Sequence, residues 1–302
     1  MDLRLLRTFR SVVEHGSFTA AAGALGYTQS AVSQHIATLE ASLGVRLVER
    51  RPFAVTSAGA RLAEHAANIL VRVDVATSEL ARIDRREDVE VASTPFPAST
   101  ARVARLLARA HATELASTAS LRVMSATEVT ERVARGACAA GVVDGIVGPA
   151  DPLAQTDPGL LTAIPLEIVP IGVLLPADHP HARRDTVSWA ALADARFIDA
   201  PRLVPPAGPG ASTVRDRRWS RTRFDGDDPS VLAALVAAGH GLALVPARST
   251  ASTAPAVRVV RLVSPDFVHR TELLVLRQHA ARWTQLVRET VEVTASRTAN
   301  VG

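Results

Sequence analysis

The sequence predicts an α/β chain in three parts: a helical N-terminal module, one long helix, and a region of roughly 200 residues in which strands and helices alternate. Three observations predict it. Residues 2 to 43 carry three apolar helical periods punctuated by glycines, residues 62 to 83 keep an unbroken heptad spacing, and from about Asp88 short β-rich runs alternate with amphipathic stretches.

Composition sets outer limits. The 302 residues carry 34 basic and 30 acidic side chains, a net charge of only +4, and every basic residue is arginine. Without lysine there is no P-loop lysine, no Schiff-base lysine for pyridoxal phosphate, and no Ser-Lys base. Charge alone therefore does not announce a nucleic-acid-coating protein. Apolar residues make up 47% of the chain and aromatics 4%, so alanine and valine must fill much of the core. The single cysteine, Cys138, excludes an internal disulfide and a CxxC site, and reads as a small buried hydrophobe. The start MDLRLLRTFR lacks an uninterrupted apolar h-region, and no stretch is long and apolar enough to span a membrane. The chain reads as soluble and cytoplasmic, without a membrane partner.

The N-terminal elements follow in order. Asp2 caps a helix whose Leu5, Leu6, Phe9, Val12 and Val13 share one face, and Gly16 stops it. Ser17 caps a short second helix with Phe18, Ala21, Ala22 and Leu25 inward. Gly26 and Tyr27 make the turn, and Thr28 caps a third helix with Val32, Ile36, Leu39 and Leu43 inward. The opposite face of that helix shows Gln29, Ser30, Ser33 and Gln34. This is a helix-turn-helix pattern: short polar side chains at the start of a second helix packed on a small, alanine-rich one suit major-groove base edges. A three-helix bundle with polar residues facing water has the same spacing. Leu47 to Val55 then reads as a hairpin-like wing, where Arg50 and Arg51 suit phosphate contacts or form a solvated charge pair.

From Thr56 a helix runs to about Arg86. Leu62, Ala66, Ile69, Val73, Ala76, Leu80 and Ile83 recur at alternating spacings of four and three, which reads as a dimer seam, the alternative being a helix lying on the next domain. Beyond it, strands are expected at 89–93, 121–124, 142–147, 168–175, 197–199, 242–245 and 273–276. Helices are expected at 99–111, 128–135, 188–192, 231–238 and 282–293. Such alternation implies a largely parallel sheet in two subdomains. Residues 201 to 209 form a proline-rich loop.

The ordered set Gly16-Ser17-Phe18-Thr19-Ala20-Ala21-Ala22, Thr28-Gln29-Ser30-Ala31-Val32-Ser33, Leu39-Glu40, Leu43-Gly44, Leu47, Arg50 and Thr56…Ala58-Gly59 resembles the LysR-type transcriptional regulators. Weaker matches continue the resemblance over essentially the whole chain: Asp144-Gly145-Ile146-Val147, Leu175-Pro176-Ala177-Asp178-His179-Pro180, and Val236 to Gly241 running into Leu244-Val245-Pro246. The resemblance implies an α/β chain with an N-terminal winged helix-turn-helix over 1–57 and a long dimerisation linker helix over 58–87. It also implies a two-subdomain, periplasmic-binding-protein-like effector domain over 88–302. Subdomain I would be about 88–164 with 267–302, and subdomain II about 165–266. It carries DNA-contacting roles onto Gln29, Ser30, Ser33, Arg50 and Arg51, and Thr28 and Gln34 at the same helix start complete the expected DNA-binding set. Two departures stand out: Gln34 stands where the family often has arginine, and the wing is about two residues shorter than the usual pattern. The implied partners are promoter DNA, a small-molecule effector, a second or further copies of the chain as homodimer or homotetramer, and RNA polymerase.

In open α/β sheets ligands collect beyond the carboxyl ends of strands, so Thr94, Phe96, Ser99, Thr100, Ser125, Thr127 and Pro149 are candidate effector contacts. Asp199, Ala200 and His240 would face them from the other subdomain. Hydroxyls at helix starts suit an anion, here an organic or amino acid, and equally serve as plain helix caps. No metal or cofactor is called for. His179 and His181 lack a supporting carboxylate or thiol cluster, Gly239-His240-Gly241 is not a dinucleotide fingerprint, and Trp189, Trp219 and Trp283 share no period. A solute binder would need the missing signal peptide, an enzyme would need a catalytic constellation, and a protein-interaction module fits the recognition-helix pattern poorly.

Overall fold

The computed structural model describes residues 2–50, 52–83, 89–98, 100–112, 118–153, 160–203, 219–249, 255–263 and 267–299. In the N-terminal unit, α1 (Leu3–His15), α2 (Phe18–Leu25) and α3 (Gln29–Leu43) precede a hairpin of β1 (Val48–Arg50) and β2 (Phe53–Val55). Each helix starts on a side-chain cap: Asp2 accepts from Arg4 N at 2.8 Å, Ser17 from Ala20 N at 3.4 Å, and Thr28 from Ala31 N at 3.2 Å. Each ends on a glycine in the left-handed region, Gly16, Gly26 and Gly44, at φ 62°, 68° and 70°. The core joins Leu5, Phe9 and Val12 of α1 to Ala21 and Ala22 of α2, to Val32, Ile36 and Leu39 of α3, and to Leu47 and Val48. Phe18 meets Phe53 of the hairpin edge-to-face, 6.1 Å between centroids.

The hairpin is tied down by polar contacts at its base. Glu40 Oε1 accepts from Leu47 N at 2.7 Å and from Val48 N at 3.2 Å. Thr56 Oγ1 donates to Arg46 O at 2.8 Å and accepts from Gly59 N at 3.0 Å. Gly59 lies so close that a Cβ there would stand 2.1 Å from Leu47 O.

Helix α4 (Ser57–Ile83) follows the expected linker, but part of its heptad stripe is spoken for within the chain. Ala66 is fully buried in a cluster with Leu6 of α1 and Leu70, with Leu62 and Ile69 packed against them, and Arg7 pairs with Asp74 at 2.8 Å. The expectation that Ala66 lines a dimer seam is therefore corrected, because α1 of the same chain covers it. Val73 is half-buried, Ala76 is exposed and Leu80 is 66% exposed, whereas the Ile83 side chain lies outside what is described.

Among the described residues the larger unit contains two main sheets and a separate two-stranded pair. The first has strand order β4-β3-β5-β13-β6, built from β3 (Val89–Ser93), β4 (Ala119–Val123), β5 (Ala140–Val147), β6 (Leu161–Val169) and β13 (Val268–Leu276). Strands β4, β3 and β5 run parallel, while β13 is antiparallel to both β5 and β6. On one face lie α6 (Ala101–Ala112) and α9 (Ala280–Ala299), whose Val103, Leu106, Trp283 and Leu286 share a core with Val91, Val142 and Leu273. Also on this sheet, α7 (Ala126–Ala134) sits so tightly on β5 that a Cβ at Gly141 would meet Val129 at 2.5 Å. Arg122 and Arg132 both bind the Glu90 carboxylate, at 3.1 and 2.6 Å. Burial pushes that carboxyl up, but the two guanidinium hydrogen bonds outweigh it and hold its pKa below the ordinary value.

The second sheet has order β11-β7-β12-β8, from β7 (Ile171–Pro176), β8 (Thr186–Ser188), β11 (Ala243–Pro246) and β12 (Val257–Val263). A parallel pair, β9 (Phe197–Asp199) and β10 (Trp219–Arg223), adjoins it through a Phe197–Leu242 bridge, and α8 (Pro229–Ala237) packs on it. The expected largely parallel sheet is corrected to mixed sheets, because the chain crosses to the second subdomain along β6 and returns along its antiparallel neighbour β13. The expected strand 168–175 is two strands broken at Pro170, and the switch of sheet falls there rather than near residue 164. The expected helix 188–192 is a strand end followed by a short 3-10 turn at Ala190–Leu192, and the expected helix 99–111 is α6, preceded by a separate turn, α5 (Pro95–Ala98). Strand β10 and strand β12 were not expected. Trp189 stacks on Phe197 and Trp283 is core, while the Trp219 side chain lies outside the described residues. No described helix is long and apolar enough to cross a membrane.

Gly59→Ala forces a methyl group into the Leu47 carbonyl. We expect it to lower the unfolding free energy by about 1–3 kcal/mol in urea titrations of the intact chain.

Candidate functional site

The exposed face of α3 is set by what its other face buries. Val32, Ile36 and Leu39 are locked into the core, which leaves Gln29, Ser30 and Gln34 exposed and Ser33 half-buried. Thr28 is doubly engaged, as the helix cap and through its hydroxyl 3.0 Å from Ser30 Oγ. Behind this face, His35 Nδ1 lies 3.0 Å from the hydroxyl of the buried Thr8 on α1, and the Tyr27 ring stands edge-on against the imidazole. Arg51 and the Arg50 side chain lie outside the described residues, although the β1–β2 pairing brings Arg50 opposite Phe53 at the tip.

The three arginines of α1 each face an acid: Arg4 with Asp2, Arg7 with Asp74, and Arg10 with Glu14, at 3.3, 2.8 and 3.0 Å. Of the six arginines before residue 57, Arg46, Arg50 and Arg51 remain, all beside or within the wing. The face this builds is neutral and rich in hydrogen-bonding groups, with cations to one side.

The candidate effector residues divide. Thr94 and Phe96 are corrected: both are buried. Thr94 is 1% exposed, and its hydroxyl donates to the Asp144 carboxylate, which also lies 2.7 Å from His269 Nε2. Phe96 is part of the second subdomain's core, with Leu174, Ile198, Leu203 and Leu232, and stands edge-on to His269. Two other hydroxyls are committed to local structure, as the helix-cap alternative requires. Thr100 Oγ1 donates to Pro97 O at 2.7 Å. Ser125 forms a capping box: its hydroxyl donates to Glu128 Oε2 at 2.5 Å and accepts from Glu128 N at 3.4 Å. Those bonds from Ser125, with Arg202 adding to them, hold the Glu128 carboxyl below its ordinary pKa.

Thr127 and Pro149 are exposed, and Ser99 lies outside the described residues. On the other subdomain Asp199 is half-buried and pairs with Arg223 at 3.3 Å, Ala200 is buried, and the exposed His240 lies 3.4 Å from Thr222 Oγ1. The structure adds Arg202, which reaches from the second subdomain to Glu128 of the first at 3.4 Å. Its sequence signal was present: it is the one cation in the proline-rich stretch 201–209. His179 and His181 face each other with ring centroids 5.5 Å apart; burial and then its neighbour His181 push the His179 pKa down. Among the described residues no group of three or more His, Cys, Asp or Glu is placed to hold a metal ion.

Comparison with known proteins gives the family of both units. A family model described as the bacterial regulatory helix-turn-helix protein, lysR family, matches residues 3–60, and the LysR substrate binding domain matches residues 84–298. The chain therefore belongs to the LysR family. It is 27% identical over 305 residues to the HTH-type transcriptional regulator BenM of Acinetobacter baylyi, covering 96% of this chain and 95% of that protein. It is 46% identical over 78 residues to a probable hydrogen peroxide-inducible genes activator of Mycobacterium xenopi, a match spanning 25% of this chain and only 41% of that relative. A crystal structure of a full-length BenM variant superposes with a TM-score of 0.55 at 25% identity, covering 99% of this chain and 97% of that one.

Ser125→Ala removes one partner of the α7 capping box. An unfolding free energy lower by about 1 kcal/mol in chemical denaturation is expected, as for other lost N-caps.

Proposed function

We propose that this LysR-family chain is a sequence-specific, DNA-binding transcriptional regulator acting in the cytoplasm, and that a small-molecule effector between its two α/β subdomains modulates it. The observation that carries the DNA reading is the packing of α3, whose buried Val32, Ile36 and Leu39 turn Gln29, Ser30 and Gln34 outward together. Gln29 and Gln34 suit bidentate recognition of adenine, Ser30 and Ser33 suit base edges or phosphates, and Thr28 holds the helix start. Arg50 and Arg51 would take phosphates beside the groove. Val73, Ala76, Leu80 and Ile83 supply the dimer seam, so that paired recognition helices meet paired half-sites. RNA polymerase is the further partner such a regulator engages.

The effector is a small anion, an organic or amino acid, with Thr127 and Pro149 on one side, Asp199 and His240 on the other, and Thr100 between α5 and α6; Ser99, also a candidate from the sequence, lies outside the described residues. Its binding would bias the arrangement of the subdomains and so the spacing of the recognition helices. The chain has one cysteine, Cys138, buried in the structure, and an internal disulfide needs two.

In gel shifts with the DNA upstream of its own gene, Gln29→Ala should weaken specific binding more than non-specific binding. Equal losses would remove Gln29 from base reading. Because the α1 arginines are already paired, about three cations per winged helix remain for phosphates, so a dimer should show a log–log salt slope near about −5. In a thermal-shift screen of organic acids, a stabilising hit should lose its effect in Thr127→Ala. An equal shift in both proteins would sink the proposed contact.

A further inference from the structure

We propose that Tyr27 is a DNA-contacting residue, its phenol hydroxyl donating to a backbone phosphate at the start of the recognition helix, and that His35 is the positioning residue that braces its ring. This rests on the DNA reading above and adds to it a contact in the turn between α2 and α3.

The starting point is a gap in charge. Between Arg10 and Arg46 the sequence contains no arginine, and the chain has no lysine, so α2, the turn and α3 offer no cationic side chain of that kind to the duplex. The backbone of a duplex must still be held where α3 meets it, and neutral hydroxyl donors are the alternative to guanidinium groups. Tyr27 immediately precedes the Thr28 cap, next to Gln29 and Ser30, and is 43% exposed. It is the only tyrosine in the chain.

An exposed tyrosine on a free turn would lose rotamer freedom on binding, which offsets the contact it makes. Here the ring is already held. Its edge-to-face contact with His35 has centroids 5.4 Å apart and planes at 85°. The imidazole is fixed in turn by α1. Thr8 Oγ1 donates to Arg4 O at 2.9 Å and lies 3.0 Å from His35 Nδ1, within hydrogen-bond distance. Thr8 is fully buried. A chain of contacts thus runs from the inside of α1 through His35 to the Tyr27 ring, in a residue that is 43% exposed.

The test uses the full-length protein and two duplexes, the DNA upstream of its own gene and an unrelated sequence of equal length. Tyr27→Phe keeps the ring and its bracing and removes only the hydroxyl. Affinity should fall by about threefold to tenfold on both duplexes, because a phosphate contact is blind to sequence. The salt slope should stay unchanged, since a neutral donor displaces no counterion. His35→Asn leaves a hydrogen-bonding group facing Thr8 but removes the ring; it should weaken binding in the wild-type background and add little to Tyr27→Phe. Thermal unfolding of each variant separates a folding defect from a lost contact. Unchanged affinity of Tyr27→Phe at every salt concentration would overturn the proposal while leaving Gln29-based reading intact. A loss confined to the upstream sequence would make Tyr27 a base reader and overturn the phosphate assignment, and additive effects of the two substitutions would remove His35 from its role. A wild type that does not distinguish the two duplexes defeats the broader DNA reading, whereas the Tyr27 contact is still read on the unrelated duplex.

Discussion

The N-terminal module turns on the Glu40 carboxylate, which accepts from two consecutive backbone amides, Leu47 N and Val48 N. Those amides open the wing, and on a half-buried carboxylate they gain charge-assisted hydrogen bonds. One side chain on α3 thereby fixes where the wing begins relative to the recognition face. Thr56 then closes the loop from the far side by bonding back to Arg46 and Leu47 carbonyls, and Gly59 lets α4 begin in contact with the same Leu47 carbonyl. Recognition helix, wing and linker helix are tied to one short stretch of backbone. Relative placement among them is a matter of a few hydrogen bonds and one absent methyl group.

Charge is distributed in a way that separates holding from reading. The arginines of α1 are paired with Asp2, Asp74 and Glu14, exposed pairs whose contribution to stability is of the order of a few tenths of a kcal/mol each. Their larger effect is to reduce the free positive charge on that side of the module. The exposed face of α3 keeps neutral donors and acceptors, and the other arginines before residue 57 fall at positions 46, 50 and 51 of the sequence. Non-specific attraction scales with phosphates neutralised, so under the proposed DNA reading a face of this kind keeps that term small and leaves discrimination between bases to its hydrogen bonds.

What the sequence made legible follows from what periodicity can and cannot encode. Caps and glycines marked α1, α2 and α3 because each acts locally, within one helical turn, at Asp2, Ser17, Thr28, Gly16, Gly26 and Gly44. The heptad of α4 was visible too, but an apolar stripe does not say which surface covers it. Leu6, one residue from the core-facing Leu5 on α1, covers Ala66 and Leu70 in the same chain. Strand positions in the larger unit were mostly legible and strand directions were not, because direction depends on Pro170 and the return of β13, contacts far apart in sequence. Depth failed for a related reason. Placing Thr94 and Phe96 after a strand end was right, yet what buries them is Asp144, His269 and the second subdomain's core, all remote along the chain. The Ser125–Glu128 capping box could have been read, since both partners lie within one turn of S-A-T-E.

These burials also say where the effector domain is stiff. Among the described residues, the contacts that join its subdomains include the Arg202–Glu128 ion pair, with side chains 41% and 54% exposed, and the apolar insertions of Phe96 and Ile146 into cores of the second subdomain. An exposed pair of this kind is worth at most about 1 kcal/mol, and a fully buried phenylalanine or isoleucine about 1.5–3 kcal/mol each. The apolar pair therefore dominates the resting arrangement. Phe96 is in turn held from behind, with the Thr94–Asp144–His269 chain fixing the strand end from which it projects and the imidazole facing its ring. A ligand that rearranges the subdomains while leaving Phe96 and Ile146 seated has, of these contacts, the weaker one to overcome. One that unseats Phe96 must supply several times more differential binding free energy, so movement about Phe96 as a pivot is the less costly response.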